Sequence, residues 1–361
     1  MSDNVTKKMI ELYDQEAPRG MFLTSFARTP RENFHESEEV EVDVVRNNED
    51  IAPVITNLAG GPNLHSEDTY TNKKFTPPVL NDAFPLNGFD MIKRQPGENP
   101  FMQPEYRMKA VRKIFRGFRK IQAKQQRTIE YMASQVLQTG ILNLANKDGV
   151  NVYAIDYKPK ATHFPTVSTS WSDPSADIMG DLRALSNVIR SDGLVRPVRA
   201  ILGQGAFANL MKNTTVQQFL DNRRYEIGRI APAPRNADAA ILQGILQIGD
   251  SQLELWTYDG WYEPLDGGAK TRYIGDDKVV LISDQSRFDL TMGSIPLVVS
   301  PDPRVANLIP RQIVNPAAGY GFTTNIWVTP DNRTIMAESG GRPLFIPTGI
   351  DTYGCLTTTA A

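Results

Sequence analysis

The chain has 361 residues, 40% of them apolar, with 39 Lys and Arg against 41 Asp and Glu, for a formal net charge of -2. That length exceeds what one core usually organises, so two lobes with excursions are expected. The apolar content and a mean hydropathy of -0.35 exclude wholesale disorder and membrane residence, and the balanced charge excludes a globally basic DNA binder, so any nucleic-acid contact has to be local.

At the N-terminus, Met1 to Ile10 carries no apolar signal-peptide core, and no run reaches the roughly 20 apolar residues of a membrane helix, so neither export nor insertion is expected. Residues 5–16 predict a short amphipathic helix, with Val5, Met9, Leu12 and Tyr13 on one face and Pro18 beyond its end. Residues 39–45 alternate acidic and apolar side chains with period two, which predicts a strand with one apolar and one acidic face. From Arg46 to Lys93, turn signals at Asn47, Gly60 and Asn87 separate short candidate strands at 51–58 and 69–75. A stretch like this buries no core of its own and is expected to be a functional loop or to dock elsewhere.

From Gln103 to Thr139 the chain predicts one long helix, opened near Pro104 and closed by Gly140. Met108, Val111, Ile114, Phe115, Phe118, Ile121, Ile129, Met132 and Val136 form an apolar stripe at three- and four-residue spacing. Opposite it lie Arg107, Lys109, Arg112, Lys113, Arg116, Arg119, Lys120, Lys124 and Arg127. Such a face is either solvated, or meets phosphate or an acidic neighbour such as strand 39–45 of another copy; the sequence leaves these open.

Past Gly140 the pattern predicts a hairpin turned at 147–149 with its second arm at 150–157. Helices at 175–189, 206–211 and 215–220 then alternate with strands at 198–202, 253–258 and 279–282, an α+β lobe. The final stretch, 290–356, is rich in Pro, Gly and β-branched residues, with strands expected at 296–299, 321–328 and 334–338.

Residues offering chemistry are few. Cys355 is the sole cysteine, which excludes an internal disulfide or a cysteine-rich metal site and fits a reducing compartment. His35, His65 and His163 stand alone, without ligand spacing, and are expected on surfaces or loops. Gly203-Gln204-Gly205-Ala206-Phe207-Ala208 follows an apolar strand and matches Gly-x-Gly-x-x-Ala, with Asp221 near the place of a ribose-binding acid. No βαβ series surrounds it, so a tight strand-to-helix turn is expected rather than a dinucleotide site. Trp256, Tyr258, Trp261 and Tyr262 are expected to pack in a core or interface rather than on a ligand. No catalytic residue, cofactor or metal is expected.

The order of arm, long loop, spine helix, α+β lobe and β-rich return resembles the major capsid proteins of lambda-like tailed bacteriophages, the capsid protein E type. Residues Lys93 to Pro100 and Pro104 to Arg107 look like that family's approach to its spine helix. Trp171 to Ile178, Asp221 to Arg224, Trp327 to Asp331 and Arg342 to Leu344 are similar to later family stretches. The resemblance implies the HK97 fold: an N-terminal arm at 1–45, an extended E-loop at 46–95, a P-domain with the spine helix at 96–172, an A-domain at 173–289, and a β-rich return to the P-domain at 290–361. It implies a virion protein assembled in the host bacterial cytoplasm into hexamers and pentamers around double-stranded DNA. Further implied partners are a scaffold, a portal and a decoration protein, with non-specific contact to packaged DNA and no membrane. Contacts between copies are expected at Phe22, Phe26, Val42, Val44, Phe75, Phe84, Arg112, Arg116 and Arg119. The runner-up reading is an encapsulin-like cellular compartment, followed by a dinucleotide-binding enzyme built on Gly203 and Gly205.

Overall fold

The computed structural model describes residues 22–29, 40–45, 70–87, 106–145, 150–220, 228–229, 240–249, 251–265, 267–293, 322–331 and 333–360. The expected helix at 5–16, the strands at 51–58 and 296–299, and the hairpin turn at 147–149 lie outside them. No described helix is long and apolar enough to cross a membrane.

In chain order the strands are β1 (Ala27–Arg28), β2 (Val40–Val45), β3 (Tyr70–Phe75), β4 (Leu80–Asn87), β5 (Ile141–Ala145), β6 (Asn151–Asp156), β7 (Pro197–Leu202), β8 (Gly228–Arg229) and β9 (Ala240–Ile248). They continue as β10 (Ser251–Tyr258), β11 (Trp261–Tyr262), β12 (Thr271–Arg272), β13 (Lys278–Ser283), β14 (Phe288–Gly293), β15 (Phe322–Val328), β16 (Thr334–Pro347) and β17 (Tyr353–Thr357). The helices are α1 (Tyr106–Thr139), α2 (Ile178–Gly193), α3 (Gln204–Lys212) and α4 (Thr214–Leu220).

The chain divides into two compact units. The first comprises Met1–Val40, Thr76–Met132 and Leu290–Phe345. Its main sheet runs β1-β14-β16-β15, with β4 also paired to β16. Leu86, Ala110, Ile114, Phe118 and Ala337 form one apolar cluster in this unit, and Ile129, Leu290 and Met292 form another. The buried Gln125 amide donates to the Ser339 carbonyl at 3.1 Å, and the buried Arg342 donates to the Pro77 carbonyl at 3.2 Å. These bonds pay the desolvation of two polar groups that the unit encloses.

The second unit comprises Glu41–Phe75, Ala133–Asp289 and Ile346–Ala361. Its six-stranded sheet runs β17-β13-β7-β10-β9-β8; β7 and β10 are parallel, while β13 pairs antiparallel with both β7 and β17. Leu182, Leu185 and Ile189 from α2 pack with Leu202, Leu255, Leu281 and Leu356 in one core. Asp177 caps α2 by accepting the Gly180 amide at 2.9 Å, and Asp173 instead binds Ser175, so the helix begins three residues later than expected. Two-stranded sheets β2-β3, β5-β6 and β11-β12 complete the described strands.

Candidate functional surfaces

Among the described residues, the Gly203 turn offers no open cradle for a ligand. Gly203 and Gly205 do form the strand-to-helix turn between β7 and α3, but the chain itself fills it. The Gly203 amide donates to the Lys278 carbonyl at 2.9 Å, and the Ala206 amide to the Asp276 carbonyl at 2.7 Å. A Cβ on Gly203 would stand 2.0 Å from the Gly275 carbonyl oxygen, and one on Gly205 2.9 Å from that of Asp276. The glycines therefore admit residues 275–278, and an amide that would face a pyrophosphate is occupied by a carbonyl. Asp221 lies outside the described residues.

Cys355 is buried, and that burial pushes its thiol up to about 12, so its thiolate is disfavoured. Among the described residues, no group of three or more His, Cys, Asp or Glu is placed to hold a metal. Of the aromatic residues, Tyr258 stacks on Tyr273 at 6.0 Å and Tyr262 tilts against the same ring at 5.3 Å, while Trp261 stays exposed beneath the Arg272 guanidinium at 4.4 Å.

His163 departs from expectation, being fully buried rather than superficial. Its Nδ1 meets the Tyr353 carbonyl at 2.8 Å and its Nε2 meets Asp192 at 3.2 Å, while Lys160 pairs with the same Asp192 at 3.0 Å. The residue ties the 3-10 turn at Ala161–His163 to the end of α2 and the start of β17. His35 and His65 lie outside the described residues.

Glu130, the only acid on α1, is also fully buried. Its carboxylate accepts the Leu23 amide at 2.8 Å, the Thr24 amide at 2.9 Å and the Thr24 hydroxyl. A carboxylate inside an apolar stripe is costly unless donors meet it, and the 3-10 turn Thr24–Phe26 supplies them. The sequence signal was a lone acid beside Ile129 and Met132 on a helix with nine cations.

The candidate contact residues are distributed as follows. Phe22 is 7% exposed and meets Phe26 edge-on at 5.2 Å. Phe84 is half-buried, packed edge-to-face on Phe118 at 5.8 Å over the notch left by Gly117. Phe75 is half-exposed at 5.5 Å from Tyr157. Val42 and Val44 lie on β2. Arg112, Arg116 and Arg119 are exposed on α1. Phe22 and Phe84 thus find much of their packing within their own unit.

A family model described as Phage major capsid protein E matches residues 11–353. No curated protein matches the chain. Among solved structures, a prophage capsid protein of Escherichia coli CFT073 is similar at a TM-score of 0.64 and 15% identity, covering 98% of this chain and 99% of that one. A phage-related protein of Bordetella bronchiseptica RB50 is similar at a TM-score of 0.47 and 8% identity, covering 94% and 91%. The satellite phage P4 procapsid gives a TM-score of 0.44 and 8% identity, covering 99% and 100%.

Proposed function

Because the chain belongs to the phage major capsid protein E family, and so is a shell subunit of a phage head with the HK97-type fold, we propose that its copies associate as hexamers and pentamers that close around double-stranded DNA. The family match across residues 11–353 carries this reading. Heterologous contacts that close by rotation make rings, and rings tile a shell.

In this reading residues 1–45 are the arm, 46–95 the E-loop, 96–172 the P-domain, 173–289 the A-domain, and 290–361 the return to the P-domain. Phe26, Phe75, Phe84, Val42 and Val44 contribute apolar surface between copies. Two features support an external partner. Among the described residues β2 pairs only with β3, and an isolated two-stranded ribbon is marginal in water. Val79, Val150 and Val152 are also 57%, 59% and 64% exposed in the single chain, surface that association can cover. A scaffold, a portal and a decoration protein are the further partners, and assembly takes place in the host cytoplasm. No observation favours the compartment reading over the phage head.

Sedimentation velocity on the purified chain tests this. Rings or closed particles are expected to form with rising concentration. A single-copy species at every concentration, with or without the scaffold, contradicts it.

A further inference from the structure

The exposed face of α1 carries charge of one sign. Between Ala110 and Ile129 seven positions are exposed, namely 112, 116, 119, 120, 123, 124 and 127, and only Ala123 is not Lys or Arg. The helix holds nine of the chain's 39 basic residues and one of its 41 acids, leaving thirty cations against forty acids elsewhere. Its one acid, Glu130, is buried and bound by Leu23 and Thr24. A merely solvated helix face mixes signs, because like charges four residues apart repel. Here Arg112, Arg116, Lys120 and Lys124 follow one another at that spacing. Lys124 also pairs with Asp82 at 2.8 Å and remains exposed.

From Arg112 to Arg127 the row is about 22 Å long. Two polyanions are at hand. The six-residue strand β2 of another copy brings only Glu41 and Asp43, two acids against a row of about 22 Å. Duplex DNA carries one charge per roughly 1.7 Å of axis, so a matching length offers about thirteen phosphates, all of one sign.

We infer that the Arg112–Arg127 face of α1 is a sequence-independent binding surface for the phosphate backbone of duplex DNA. The inference rests on the shell reading only in taking DNA as the polyanion that the subunit meets. Each cation that replaces a condensed counterion adds about 0.9 to the slope of log affinity against log salt. Binding is therefore steep in salt and indifferent to sequence.

The test titrates a mixed-sequence 30-base-pair duplex with full-length, unassembled subunit over a range of salt. The R112Q/R116Q variant is expected to bind at least tenfold more weakly at low salt, with a slope smaller by about 1.8. R112K/R116K is expected to restore both. K212Q/K270Q removes two exposed cations from the other unit and is expected to change neither. Absence of binding by the parent protein at low salt overturns the inference, as does an equal loss in the K212Q/K270Q control. It is also overturned if R112Q/R116Q blocks particle formation while leaving the slope intact, because the face then serves another copy. Particles that form normally from protein that ignores DNA leave the shell reading standing and remove only this one.

Discussion

Glu130 and His163 show how single buried polar groups hold distant stretches of this chain together. Hydrogen bonds to a charged acceptor contribute about 1.5–3 kcal/mol, and Glu130 accepts from both the Leu23 and Thr24 amides. Glu130→Ala is therefore expected to speed amide exchange across residues 22–26 more than tenfold, measured by mass spectrometry; unchanged exchange would show that the turn is held by other contacts. His163→Ala empties a fully buried site and strands its partners, a loss of about 3 kcal/mol readable in urea unfolding. Asp192 makes the same cluster sensitive to acid. The hydrogen bond from Lys160, helped by that from His163, holds its carboxyl below its usual 3.8. A carboxylate lowered in the folded state stabilises above its unfolded value, and that contribution is lost as pH falls through the folded value. The urea midpoint is thus expected to fall below about pH 4, and Lys160→Gln to flatten that fall. A Lys160→Gln profile identical to the parent's refutes the pairing.

Among the elements, α1 was the most legible, since its stripe and Gly140 mark it from sequence alone; Gly140 takes a φ of +67° and its amide donates to Val136 at 2.8 Å. Gly117 sits in the middle of this helix. A Cβ there would come 2.1 Å from the Phe84 ring. Gly117→Ala, which gains about 1 kcal/mol in an ordinary helix, is instead expected to cost about 1–3 kcal/mol of thermal stability, with part recovered in Gly117→Ala/Phe84→Leu. A raised melting temperature for the single variant contradicts that packing. Strand β16 was expected over 334–338 only. It continues to Pro347 because Gly341 sits opposite Phe322, whose ring occupies the place of a Cβ. No strand was expected at β4, which carries Pro85; among the described residues it pairs only with β16, and a strand paired on one side tolerates proline. His163 was misjudged because its partners Asp192 and Tyr353 lie 29 and 190 residues away, a relation that no local pattern carries.

For the whole molecule, the order of the described helices and strands was readable. The Gly203 turn shows why a motif alone misleads: the same glycines that could admit a phosphate admit residues 275–278. What periodicity did not reveal was the pairing of remote segments, such as residues 80–87 with 334–341. The segregation of charge onto one helix was visible in the sequence, but the face it forms became defined only when burial fixed which positions are exposed. The shell assignment is tested most directly by cryo-electron microscopy of the particles formed by the full-length chain. Closed icosahedral shells are expected, with residues 40–45 and 70–75 of one copy lying against another. A solitary chain or a small closed oligomer under every assembly condition contradicts the account.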